Sequence, residues 1–220
     1  MNSADALDSA RRGAGFLTPD EVAALAPDVL VLDPASVLVG RSVTIERGVV
    51  LYPGTVLEAR RAGSLVVRAG ARLGPGPVAV IADGSRVEIG RAELGPGPVT
   101  VVAIDVVSPG TVQDSPGAAS ADVVVGDGAR LSGGCVVEGP AAIGDGAQVI
   151  GTVSVRDVVL GAGADRHHPD PDRRGAVVKG TGRIHGVRLG AGDVVVGRTA
   201  VSAVERQRDH HPEAPRFTDT

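Results

Sequence analysis

The sequence predicts an all-β chain folded as a left-handed parallel β-helix, a hexapeptide-repeat solenoid with a short N-terminal helix and a C-terminal tail. Three observations carry that expectation. From Val125 to Ser154 the chain reads in sixes, VGDGAR LSGGCV VEGPAA IGDGAQ VIGTVS, with Val125, Leu131, Val137, Ile143 and Val149 heading successive hexads. Ala129, Cys135, Ala141, Ala147 and Val153 stand four places later, so both positions are apolar. A helix repeats about every 3.6 residues and a strand every two or so; a strict six is neither, and short fixed periods mark stacked coils. Glycine, 32 residues in all, recurs between these apolar positions, where it lets the chain turn sharply at a corner. Aromatics are scarce: there is no Trp, one Tyr and two Phe, although apolar residues reach 43%. An ordinary core of this size draws on aromatic side chains, whereas a thin prism filled by Val, Leu, Ile and Ala does not need them.

In such a prism each hexad forms one of three faces. About three hexads make a coil, and coils stack about 4.8 Å apart. The leading residues line up as aliphatic pillars inside, and burying each is worth roughly 1.5–3 kcal/mol. A left-handed coil runs against the usual right-handed crossover, so the repeat alone has to specify it.

Three regions are expected: an extension over 1–36, the β-helix over 37–201 with loops at 105–122 and 161–182, and a tail over 202–220. Residues 1–17 are small and polar and read as poorly ordered. Thr18 supplies an N-cap, Pro19 the first helical position, and Asp20 and Glu21 an acidic first turn, so TPDEVAALA reads as a short helix. With DVLVLDPAS it is expected to cover the open end of the solenoid, whose unpaired strands would otherwise invite edge-to-edge association. The repeat starts at Val39 and bulges at Arg60 to Ser64. It then continues with slips of phase, expected to be short insertions at corners, through Leu73, Ile81, Ile89 and Leu94. Asp105 to Asp122 carries Ser, Pro, Gly and Asp in place of a ladder and reads as a loop, although VVSPGTV fits one degenerate face. A second departure, DRHHPDPDRRGAVVKGTG from Asp165 to Gly182, alternates Pro with Asp and excludes a central strand there. Leu189 and Val195 restore the pattern. The tail reads as a short helix near Ala203 to Arg208, ended by Pro212 and Pro215.

Composition narrows the function. A net charge of −4 with no long Lys/Arg run lacks the footprint of a nucleic-acid binder. No apolar run is long enough for a membrane span or signal peptide, which predicts a cytoplasmic protein with no membrane partner. The single Cys, Cys135, occupies a ladder place that is Ala in neighbouring hexads, so it reads as a core residue rather than a nucleophile.

The segment DPASVLVGRSVTIERGVVLYPGTVLEA, Asp33 to Ala59, resembles the start of the β-helix in bacterial bifunctional N-acetylglucosamine-1-phosphate uridyltransferases/glucosamine-1-phosphate acetyltransferases. More broadly, residues 37 to about 201 resemble the hexapeptide-repeat acyltransferase superfamily. The resemblance implies a homotrimer, an acyl-CoA held between neighbouring prisms as co-substrate, and a His general base acting on a small amine or hydroxyl acceptor, with no metal. The Gly-rich phosphate-binding motif of uridylyl transfer is absent, and the motifs around the relatives' acetyltransferase site are not recognisable between Asp105 and Gly182. A different acceptor is therefore expected.

On that reading the polar residues that break the repeat carry the chemistry. His185 and His168 are the candidate bases, with Asp165 as a carboxylate able to orient a ring. Lys179, Arg183, Arg188 and Arg198 are the candidate contacts to CoA or sugar phosphates. The alternative reading makes HHPDPD a solvated loop, His185 a corner residue and the cations an ordinary outward face. His210 and His211 read as a flexible surface pair. Two further functions stay open: a non-catalytic trimeric scaffold or sugar-nucleotide-binding module, and a γ-type carbonic anhydrase. The latter needs three His around zinc, and IHG at Ile184 to Gly186 lacks its companion.

Overall fold

In the computed structural model, which describes residues 3–105, 120–197 and 203–215, the hexads close into a three-sided parallel β-helix. The first face stacks Leu30–Val31, Val50–Leu51, Arg72–Leu73, Glu93–Leu94 and Arg130–Ser132, then the starts of Gln148–Leu160 and Val177–His185, and last Asp193–Gly197. The second runs through Leu38–Val39, Thr55–Arg60, Val78–Asp83 and Val99–Ile104 onto residues 136–138, 154–156 and 183–185. The third runs from Val43–Ile45 through Ser64–Val67, Arg86–Ile89 and Val123–Val125 to Arg188–Leu189. Leu131 stacks on Val149, one coil of three uninterrupted hexads. The pillars lie inside as the six-residue period requires: Leu51, Leu73, Leu94, Leu131, Val149 and Val178 are fully buried along the first face.

The phase slips have a simple origin. Inward positions are seven apart from Leu73 to Val80 and from Leu94 to Val101. Each extra residue is absorbed in a Gly-Pro-Gly corner, at Gly74 to Gly76 and Gly95 to Gly97, and the two corners stack on each other. The expected bulge after Arg60 is a turn through Arg61 and Ala62, both at positive φ.

Three expectations are corrected. Residues 1–17 are not poorly ordered throughout: α1 (Ser3–Gly13) is an α-helix. Its anchor is Arg11, 6% exposed, which donates to the carbonyls of Leu17, Ala35 and Val37 across the solenoid end. No periodicity announces a contact made by one side chain to backbone more than 20 residues away. α2 (Pro19–Ala23) follows with the expected cap. Thr18 Oγ1 accepts the Glu21 N–H at 3.2 Å, and Glu21 Oε2 accepts the Thr18 N–H at 2.7 Å. Val22, Val29, Leu17 and Leu25 then pack onto the core.

The second loop is shorter than 161–182, because Val177–His185 is a strand paired in register with Gln148–Leu160. The prolines that argue against a strand occupy only its first part, where Pro171–Arg173 forms a 3-10 turn capped by Asp170. Residues 203–208 are not a helix. Val204–Arg206 pairs antiparallel with Asp193–Gly197, and a 3-10 turn, Gln207–His210, follows. Antiparallel pairing satisfies the last coil's open edge. The loop expectation at 105–122 falls mostly on residues 106–119, outside the described residues, and the degenerate face VVSPGTV, Val106 to Val112, lies wholly among them. No helix among the described residues is long and apolar enough to cross a membrane.

Ion pairs clip this C-terminal strap to the preceding loop. Arg206 pairs with Asp193 at 2.6 Å and Asp172 at 3.0 Å, while Arg208, 15% exposed, pairs with Asp172 and with Asp170, itself 6% exposed. Arg208→Ala would leave the enclosed Asp170 with only Arg173, 3.8 Å away, as its cation, and removing one partner of a buried pair costs more than the pair gains. The expected result is faster proteolysis between Val204 and Pro215 with the remaining coils still protected. Unchanged cleavage would show that the clip does not hold the strap.

Candidate functional site

Alternation along each strand decides what faces outward. Because Val137, Val155 and Ile184 point into the prism, their flanking residues stand on its second face. Register then builds two outward rows across adjacent coils: Val102, Glu138, Arg156 and His185 in one, Thr100, Val136, Ser154 and Arg183 in the other. Two hollows that share Glu138 and Arg156 lie along these rows and form one shallow trough. At one end are Val102 and Ile104, the latter 44% exposed; at the other, three rungs or about 14 Å away, are His185 and Arg183, with Val136 and Arg156 on the rungs between. Arg156 and Arg183 make no ion pair among the described residues, so two guanidinium groups flank an exposed imidazole with their charge unspent.

The candidate residues separate into three places. His185 and Arg183 share the trough. Arg188 lies beyond the next corner, donating to the Asp157 carbonyl at 2.6 Å and to its carboxylate at 2.8 Å. Those bonds hold the Asp157 carboxyl below the usual carboxylate range, with the charge of Arg188 and the nearby His185 adding to the effect. Asp157, rather than Asp165, is thus the carboxylate electrostatically linked to His185. Asp165 serves a turn: its Oδ1 accepts the His167 N–H at 2.7 Å. His168 is engaged as well, its Nδ1 accepting the Asp170 N–H at 3.2 Å while its carbonyl accepts from Arg174 Nε at 2.8 Å. Arg198 lies outside the described residues.

Lys179 faces outward on the first face, in the row of Ser132 and Ile150. There the loop from Gly161 to Ala176 and the strap fold over the sheet, so Gln148, Val177 and Val194, although outward in register, are buried. His210 and His211 are exposed, as expected of a surface pair, and they line the same hollow as His167 and Arg174. The sequence gives no period for a tail that folds back, but a string of four charges, Arg206, Arg208, Asp209 and Glu205, against the loop's Asp170 and Asp172 was a usable sign.

Cys135 is buried, and removal from water pushes its thiol up to about 11, as expected of a core residue. Among the described residues no three His, Cys, Asp or Glu side chains are grouped as a metal-ligand set. The Gly-rich corner beside His185 has little to offer an oxyanion, because the Gly186 N–H donates to the Arg156 carbonyl at 3.2 Å. No protein-family model matches the chain, and no curated protein matches it.

Proposed function

We propose that this chain is an acyl-CoA-dependent acyltransferase of the hexapeptide-repeat type, working in the second-face trough. The observation that carries the reading is the register that places His185 on the row of Arg156, beside Arg183, with the apolar end of the trough a few rungs away. A CoA thioester has matching parts, a carbonyl oxygen for the two guanidinium groups beside His185 and an apolar arm for Val102, Ile104 and Val136. His185 takes the proton from the acceptor's N–H or O–H while that nitrogen or oxygen attacks the thioester carbonyl. The carbonyl oxygen gains charge, which Arg156 or Arg183 is positioned to offset. The C–S bond then breaks, and the departing thiolate recovers the proton from the imidazolium.

The trough is open on its outer side, and a second prism packed there would close it. The proposal therefore includes the homotrimer and the left-handed coil of the superfamily that the sequence resembles. Titration calorimetry with acetyl-CoA, longer acyl-CoAs and UDP-sugars tests the reading. An acyl-CoA is expected to bind, and Arg183→Ala to weaken it about tenfold, the worth of one charge-assisted contact. Binding of UDP-sugars with no response to any thioester would replace transfer by the sugar-nucleotide-binding module.

A further inference from the structure

On the face away from His185, the loop and the strap border a half-open cavity of about 310 Å³ against the first face, at the lower end of small-molecule sites, roughly 300–1,000 Å³. Its charge is one-sided. Arg166, Arg174 and Lys179 line it with His167, His210 and His211. Two carboxylates answer them: Glu93 lies 3.3 Å from Arg166, and Glu205 lies 2.8 Å from His210. Arg174 donates its Nε to a neutral carbonyl, and neither it nor Lys179 has a carboxylate at ion-pair distance among the described residues. Gln148 adds an independent sign. It is 7% exposed and lines the cavity, yet its side-chain amide has no hydrogen bond among the described residues. The amide is not sealed from solvent, and the cavity is the side from which a ligand would reach it. The uncompensated charge is felt locally: burial, then Arg174, His210 and Lys179, hold His211 below the ordinary imidazole range.

We infer that this cavity is a second binding site, for a small phosphate-bearing molecule, with Lys179 and Arg174 opposite the phosphate and Gln148 hydrogen-bonded to the ligand. Two unpaired cations match a dianion better than a carboxylate. A cavity of this volume holds a small molecule. The site is independent of acyl transfer, since it shares no residue with the trough.

Titration calorimetry on the full chain, with inorganic phosphate, a hexose monophosphate and acetate, tests it. Phosphate or the ester is expected to bind and acetate not. Lys179→Ala should weaken binding at least tenfold, Lys179→Arg should restore most of it, and His185→Ala should leave it unchanged. Tighter binding of the ester identifies a phosphorylated metabolite as the ligand; equal binding identifies the free ion. The inference is overturned if neither phosphate probe binds at millimolar concentration, or if Lys179→Ala binds as the wild type does while its circular dichroism is native. Phosphate binding that survives His185→Ala while transfer is lost would separate the two sites; loss of both probes with transfer retained would overturn this site alone.

Discussion

Replacing His185 with alanine is expected to lower the turnover of acyl transfer by about 10²-fold or more, the usual contribution of a general base. At about 1.36 kcal/mol per decade that is roughly 2.7 kcal/mol of barrier. The side chain is exposed at the end of a row and packs into no core, so stability should change by no more than about 0.5 kcal/mol. The affinity for acyl-CoA should hold, because the proposed donor contacts belong to Arg156 and Arg183. A fall in kcat with unchanged donor binding is therefore the signature, and unchanged turnover would remove His185 from the mechanism. His168→Ala serves as the comparison. Its ring accepts a backbone N–H within its own turn, so its loss should alter the loop and leave kcat within a few-fold.

Gly151→Val is expected to have the largest effect on stability, about 2–5 kcal/mol. Gly151 has φ +105, and a Cβ built there would lie 2.3 Å from the Gly180 carbonyl oxygen of the next coil. Gly180 meets Gly197 in the same way, at 2.4 Å. The obstructing atoms are backbone and cannot swing aside. Left-handed backbone with a Cβ costs about 1–2 kcal/mol, and overpacking adds about 1–3 kcal/mol. Against a total stability of about 5–15 kcal/mol, that is a large fraction. The check is the urea midpoint, with Gly128→Ala as control. Gly128 also has positive φ, +66, but its nearest neighbour is 3.9 Å away, so it should show the backbone cost without the clash. Equal midpoints for the two variants would refute the stacked corner as the cause.

The hexads around Leu131 and Val149 made the coil legible because each residue's inward or outward placement follows from its nearest neighbours in sequence. The cap at Thr18 and the buried thiol of Cys135 were legible for the same reason. Arg11 was not, because its partners are carbonyls brought near only when the end of the solenoid is covered. The trough was half legible. Alternation already puts Arg156 outward, and His185 stood out chemically, but the loop between their strands has no period from which their pairing could be counted.

By itself the sequence determined a three-sided coil, its aliphatic pillars and its glycine corners, since a six-residue period acts locally and repeats. Only the tertiary structure decided that Arg156 lies beside His185 and that the tail returns to border a cationic cavity held by Arg208 on Asp170 and Asp172. Those contacts join residues about 30 to 40 positions apart across irregular segments. Their pairing is fixed by stacking register and ion pairs, forces that leave no periodic trace in the chain.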